Sequence, residues 1–266
     1  MHDMPQSKIL NDGKRLHLNH GPIDLIIEAF GDHEVVRSAY GKAQIKFNHI
    51  LIDLVAELSL LRAPASRKKN ILKSPVGLRM QNAVQPFYPT FITPMAAVAG
   101  AVADYMLSIL CENNKLRKAY VNNGGDIAIY LNHNEVFNIG IITDLKTRAI
   151  GGTTAITQID SINGIATSGR HGRSHSLGIA DAVTVLAKNS AQADAAATLI
   201  ANAVDVQDTT LVKKIPANEL YPDSDLADQL VTVDVAKLPK TLAERAVAQG
   251  CDRAVDYIDR GLIKAA

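Results

Sequence analysis

Ala119-Tyr120-Val121-Asn122-Asn123-Gly124-Gly125-Asp126-Ile127-Ala128-Ile129-Tyr130-Leu131 reads as strand, glycine corner, strand. Apolar strand formers flank a corner of Asn, Gly and Asp, where Gly takes backbone conformations that other residues avoid. As a tight hairpin the corner needs no function at all. Downstream, Val136–Ile142, Ala149–Ile150, Ala155–Ile159 and Ile165–Thr167 read as further short strands, with Asn163-Gly164 as a hairpin turn. Upstream, Leu16 and Leu18 alternate with polar neighbours as far as the turn His20-Gly21-Pro22, and Ile23 to Phe30 reads as a strand. Strands joined by short turns predict a largely antiparallel sheet. With the helices described next, the class is α+β.

From Asp32 the apolar period changes. Val35, Val36, Ala39, Ala43, Phe47, Ile50, Leu51, Leu54, Val55 and Leu58 recur at helical spacing as far as Arg62. Asp32 can cap this helix, and Pro64 lies beyond its end. Ser74-Pro75 starts a short helix near Val76–Val84, and Thr93-Pro94 starts another that runs through small residues to Asn113-Asn114. Ser190 is read as the cap of an alanine-rich helix. Beyond Val206 come an irregular acidic stretch, a strand around Leu230–Val235 and an amphipathic helix from about Lys240 to Leu262. Residues 1–14 are polar and carry no element signal, and 63–74 reads as an exposed linker. The expectation is a single domain over 1–266, with its motif-bearing core at about 93–205.

Composition narrows the function classes. A net charge of +1 with no basic tail argues against nucleic acid as a partner. Two cysteines, Cys111 and Cys251, make neither a disulfide framework nor a cysteine metal cluster. No targeting signal or membrane-length apolar run is evident, so a cytoplasmic protein without a membrane partner is expected; a homo-oligomer is left open.

Two features carry chemistry. The loop Asn163-Gly164-Ile165-Ala166-Thr167-Ser168-Gly169-Arg170-His171-Gly172-Arg173-Ser174-His175-Ser176-Leu177-Gly178 offers backbone N–H groups, hydroxyls and two guanidinium forks, which is how phosphates are held. Asp194 and Thr198 stand four residues apart, so on a helix their oxygens share one face and suit a hard cation such as Mg²⁺. Tyr120 and Tyr130, beside the glycine corner, are the first candidates for ring stacking, though core packing explains them equally well.

Three segments together resemble the ApbE-like superfamily of FAD-dependent, Mg²⁺-requiring flavin transferases. Ala97 to Asp104 is similar to the helix motif I-A-K-G-Y-A-V-D, with Gly100 and Asp104 matching and Ala99 where the family has lysine. Val121 to Ile127 is similar to V-N-x-G-G-D-I. Ala166-Thr167-Ser168-Gly169 resembles the S-T-S-G loop, and Ala193 to Thr198 resembles A-D-A-x-x-T. The segment after the S-T-S-G loop is cut short, and only His175 stands where the family's later histidine would be. This shortening is similar to a branch associated with organisms that make tetrahydromethanopterin.

The resemblance implies an ApbE-like fold and Mg²⁺ held by Asp194, Thr198 and a backbone oxygen near Val98. It implies that Asn123, Gly124, Gly125, Thr167, Ser168 and Gly169 bind FAD beside Asp126, and the basic-loop reading adds Arg170 and Arg173 on its phosphates; Asp126 and His175 are the catalytic candidates. The expected activity is Mg²⁺-dependent flavin transfer to an acceptor protein, or cleavage of the FAD diphosphate. The alternatives are a flavin- or pterin-nucleotide-binding protein and an enzyme of tetrahydromethanopterin-type cofactor assembly.

Overall fold

The computed structural model describes residues 4–68, 71–144, 149–172, 174–208 and 210–266. In chain order the elements are β1 (Gln6–Ile9), β2 (Leu16–His20), β3 (Ile23–Phe30), α1 (His33–Ala56), α2 (Leu58–Leu61), α3 (Pro75–Val84) and α4 (Val98–Cys111). There follow β4 (Lys118–Asn123), β5 (Asp126–Leu131), β6 (Val136–Asp144), β7 (Ala149–Thr157), β8 (Gly164–Ser168), β9 (Val183–Ala187) and α5 (Ser190–Ala203). The chain closes with β10 (Val212–Pro216), α6 (Ala217–Leu220), β11 (Leu230–Val235) and α7 (Lys240–Asp259).

Seven strands form one sheet in the order β1-β2-β3-β4-β5-β8-β9, with every neighbouring pair antiparallel. The α+β class and the antiparallel pairing are as the sequence predicts. Period-two alternation decides which face is covered: Leu16, Leu18, Leu25, Ile27, Val121 and Ala128 are buried beneath α1 and α4. The opposite face of β5 and β8 is covered by the β6–β7 ribbon, through Ile129, Leu131, Ile156 and Ile165. Helix α5 packs on β8 and β9 and against α4, and α7 packs outside α5. Helix α5 is rich in Ala, and the first half of α4 is Ala-rich with Gly100 at the contact, which lets their backbones approach the sheet and each other closely.

Pro94–Cys111 is apolar and long enough to cross a membrane, with mean hydropathy 1.6, but half of it is buried inside the protein as the core helix α4 and its lead-in. It is therefore part of the packed domain.

Several expectations change in the folded chain. The long helix breaks at Glu57, whose carboxylate accepts the Lys73 N–H (2.5 Å) and the Ser74 hydroxyl (2.5 Å) and so pins the start of α3. The 63–74 stretch is tied down as well as exposed: Leu72 is buried, and Ala65 N–H donates to Ile92 O. Within residues 1–14 a strand, β1, forms by edge pairing with β2, and the acidic stretch after Val206 contains β10. Asn163-Gly164 is not a hairpin turn. Gly164 is buried as the first residue of β8, paired with Ala128 on one side and Ala187 on the other. The cap of α5 is Asn189, whose Oδ1 accepts Gln192 N–H at 2.8 Å, while Ser190 is the first helical residue.

Candidate functional site

The site grows from one hairpin and two helix starts. After β4, Gly124 (φ 66°) and Gly125 (φ 115°) take the left-handed backbone that turns the chain, and Asn122 Oδ1 accepts Gly125 N–H at 2.9 Å. Asp126, the first residue of β5, then points to the helix-covered side, as does its partner Asn123. Asn123 Nδ2 donates to Ala99 O at 3.1 Å, fastening the corner to the first turn of α4. Asp126 Oδ1 accepts Thr167 N–H at 3.3 Å and holds the end of β8 beside it.

Helices α4 and α5 cap one another. Asp104 of α4 accepts Ser190 and Ala191 N–H at 2.9 and 2.8 Å, and Asp194 of α5 accepts Gly100 N–H at 3.0 Å. Each carboxylate satisfies otherwise orphaned donors at the other helix's N-terminus, where the helix dipole also favours negative charge. The contact requires Gly100: a Cβ there would lie 2.3 Å from Ser190 O.

Along α5, Asp194, Thr198 and Asn202 lie at successive i, i+4 steps and are partly exposed, whereas Ala193, Ala195, Ala196, Ala197, Leu199, Ile200 and Ala201 are buried. They form a polar stripe along one side of an otherwise packed helix. The Thr198 hydroxyl is 3.4 Å from that of Ser168. Asn202 Oδ1 accepts the Ser176 hydroxyl (3.2 Å) and Leu177 N–H (2.9 Å), which positions the end of the basic loop. Asn202 was not among the expected site residues, although continuing the four-residue spacing from Asp194 would have pointed to it.

Charge at the site is unbalanced. Burial pushes Asp126 up to about 7 and Asp104 to about 6. Asp194 is raised as well, by burial first and then by the negative charge of Asp126, with Asp104 adding to it. Three carboxylates converge, answered by neutral N–H donors, with Arg79 acting more weakly on Asp104 alone. Among the described residues no group of three His, Cys, Asp or Glu side chains is arranged to hold a metal. A cation here would instead take mixed oxygen donors: the Asp194 carboxylate, the Thr198 hydroxyl and main-chain carbonyls, a donor set that suits Mg²⁺. Val98 opens α4, so its carbonyl belongs to that same helix start.

These raised values set a pH dependence. A carboxyl held above its ordinary 3.8 contributes stability that is full below 3.8 and is lost as pH rises through the folded value. The metal-free protein should therefore melt several degrees lower at pH 8 than at pH 5, and Mg²⁺ should shrink that difference. Thermal melts in chelator and in Mg²⁺ at the two pH values test this. A higher melting temperature at pH 8 without metal would contradict it.

The other expected residues are placed as follows. Thr167 Oγ1 is 2.9 Å from Thr184 Oγ1 across β8–β9. Gly169 lies so close to Asp181 O that a Cβ would meet it at 2.4 Å. Arg170 is held by Asp181, with Nε at 2.9 Å and Nη2 at 2.8 Å, and His171 shares the same carboxylate oxygen at 3.0 Å. Arg173 lies outside the described residues. His175 packs against Tyr221, ring centroids 5.1 Å apart. Tyr120 faces the ribbon side of the sheet, against Phe137 and hydrogen-bonded to Glu28, and Tyr130 packs against the main core. Both rings are absorbed by packing.

A family model described as AbpE bacteria matches residues 7–266. The UPF0280 protein of Methanocaldococcus jannaschii is 40% identical over 113 residues, 42% of this chain and 45% of that protein. The UPF0280 protein of Methanothrix thermoacetophila is 33% identical over 193 residues, 70% of this chain and 75% of that protein. The chain spans about half the length of the first curated relatives it matches. A crystal structure of an ApbE protein from Thermotoga maritima superposes with a TM-score of 0.33 at 16% identity, covering 67% of this chain and 68% of that one.

Proposed function

Because the chain belongs to the ApbE-like family described as AbpE bacteria, we propose that it is a Mg²⁺-dependent enzyme acting on the diphosphate of a flavin dinucleotide. It would transfer FMN from FAD to an acceptor hydroxyl, or to water. The observation that carries this reading is the convergence of Asp126 and Asp104 on Asp194, whose carboxyl both push up, while the cationic Arg79 acts on Asp104 alone.

Asp194, Thr198 and the carbonyls at the start of α4 would hold the Mg²⁺. When bound, the metal supplies charge neutralisation at the diphosphate oxygens. Residues of the chain do the rest. The raised Asp126 carboxyl is matched to proton transfer near neutral pH. Oδ1 accepts the Thr167 N–H, leaving Oδ2 to take the proton of the attacking hydroxyl. The bond formed is acceptor oxygen to FMN phosphorus, the bond broken is the bridging P–O, and AMP leaves. The Ser168–Gly169 turn and Arg170 would face phosphate, with Asp181 orienting the guanidinium.

A second reading has a specific observation behind it. Ala99 stands at the lysine position of the family motif, and its carbonyl is already taken by Asn123. One cation is thereby missing, which favours slow turnover, or binding of a flavin or pterin nucleotide without transfer. An enzyme of tetrahydromethanopterin-type cofactor assembly would use the same phosphate and metal corner.

The test is incubation with FAD, Mg²⁺ and an acceptor peptide, followed by mass spectrometry. Little peptide-bound FMN is expected, with slow release of FMN and AMP that disappears in Asp126→Asn. Intact FAD despite tight binding would replace the enzyme by a binder. Absence of both binding and products would end the flavin reading.

A further inference from the structure

The segment between α6 and β11 is pinned at both ends of the polar stripe on α5. At one end Tyr221 packs on His175 of the basic loop, and Thr232 N–H donates to Ser176 O at 2.9 Å. Lys214 of β10 reinforces that end, donating to Leu177 O at 2.6 Å and to Asp205 at 2.7 Å. At the other end the Asp225 carboxylate accepts the Thr93 hydroxyl, just before the short 3₁₀ turn Pro94–Ala97 that packs on α5 and leads into α4. Between these anchors the segment is a compact turn, with Ser224 N–H donating to Tyr221 O and Ala227 N–H to Ser224 O. Strands β10 and β11 pair antiparallel, and this hairpin therefore runs from the loop anchored by Asn202 to the approach of the helix start held by Asp194.

Tyr221 is 61% exposed even though its ring is held against an imidazole. A phenol backed on one side and open on the other is a stacking platform. It is also the aromatic side chain that this hairpin brings to the basic loop, whereas Tyr120 and Tyr130 are packed elsewhere. We propose that Tyr221, backed by His175, stacks on the planar heteroaromatic ring of the ligand whose diphosphate lies at the Ser168–Arg170 turn. The assignment rests on the dinucleotide reading above and adds to it the residue that recognises the ring. Stacking of this kind tolerates different ring systems, so the hairpin would set the preference for a ring and the basic loop the preference for phosphate.

The test uses the full chain with FAD and, separately, inorganic pyrophosphate, both with Mg²⁺, in calorimetric titrations. Fluorescence of bound FAD is the second readout, since a stacked phenol quenches a flavin. Tyr221→Ala should weaken FAD about tenfold and brighten the bound flavin, with pyrophosphate affinity unchanged. Tyr221→Phe should restore affinity but leave the bound flavin bright, since its ring stacks without the phenol that quenches. FAD bound by Tyr221→Ala with wild-type affinity and quenching would overturn the proposal. Equal losses for FAD and pyrophosphate would also overturn it, by showing that Tyr221 acts through loop structure. If the unsubstituted protein bound neither probe, the dinucleotide reading itself would fall and this assignment with it.

Discussion

Asp194→Asn should leave the protein folded and lower its affinity for Mg²⁺ or Mn²⁺ by at least about a hundredfold, some 2.7 kcal/mol. The amide oxygen of Asn can still accept the Gly100 N–H that Asp194 accepts at 3.0 Å, so the α4 N-terminus keeps its partner. What disappears is the charge that a hard cation needs. Removing that charge also relieves repulsion from Asp126 and Asp104, which both push the Asp194 carboxyl up. Metal-free Asp194→Asn should therefore be at least as stable at pH 8 as the unsubstituted protein. Asp194→Ala differs, because it strips the cap as well, at a cost of about 1 kcal/mol in stability. Calorimetric metal titrations paired with urea unfolding separate the two effects. Undiminished metal affinity in Asp194→Asn would remove the cation corner from the proposed chemistry.

Gly164→Ala should be the most damaging single methyl addition at the site. Its Cβ would stand 2.0 Å from the carbonyl carbon of Asn189 and 2.1 Å from the amide nitrogen of Ser190. Both are backbone atoms at the cap of α5, so no side chain can rotate away, and the helix must shift off the sheet. A loss of about 3 kcal/mol or more is expected, since overpacking against main chain exceeds the usual penalty for an added methylene. Gly125→Ala makes the contrast. Nothing lies within 4 Å of a Cβ there, so only its φ of 115° is strained and the loss should be about 1–3 kcal/mol. Urea midpoints for the two variants decide the matter, and equal midpoints would mean that α5 does not sit on β8 as described.

Local pattern made much of this protein legible. The switch from period two in Ile23–Phe30 to helical period after Asp32 marks β3 and α1, because a half-buried strand and an amphipathic helix bury different sets of positions. Ser74-Pro75 marks the start of α3, where Ser74 Oγ accepts Gly77 N–H at 3.0 Å. The Asn122–Asp126 corner is legible for the same reason: glycine is needed where φ is positive. The four-residue spacing of Asp194 and Thr198 placed both on one face of α5, since that spacing closes on itself once per turn.

Other features belong to the tertiary structure alone. Gly164 looks like half of a turn, yet it is a strand residue whose missing side chain admits the cap of α5, a need created by a neighbour that no local window contains. Asp104 and Asp194 look alike as acidic residues on small-residue helices. Only the meeting of the N-terminal turns of α4 and α5 makes each the cap of the other, and only the tertiary fold brings Asp126 close enough to raise Asp194. Tyr120 sat nearest the glycine corner in sequence, but alternation along β4 turns it to the ribbon side, while Tyr221 reaches the basic loop from a distant hairpin. Sequence thus fixed which groups lie on which face of each element, because that depends on backbone period alone. Which faces meet depended on long-range packing of small residues, and so did every charge and ring at the site.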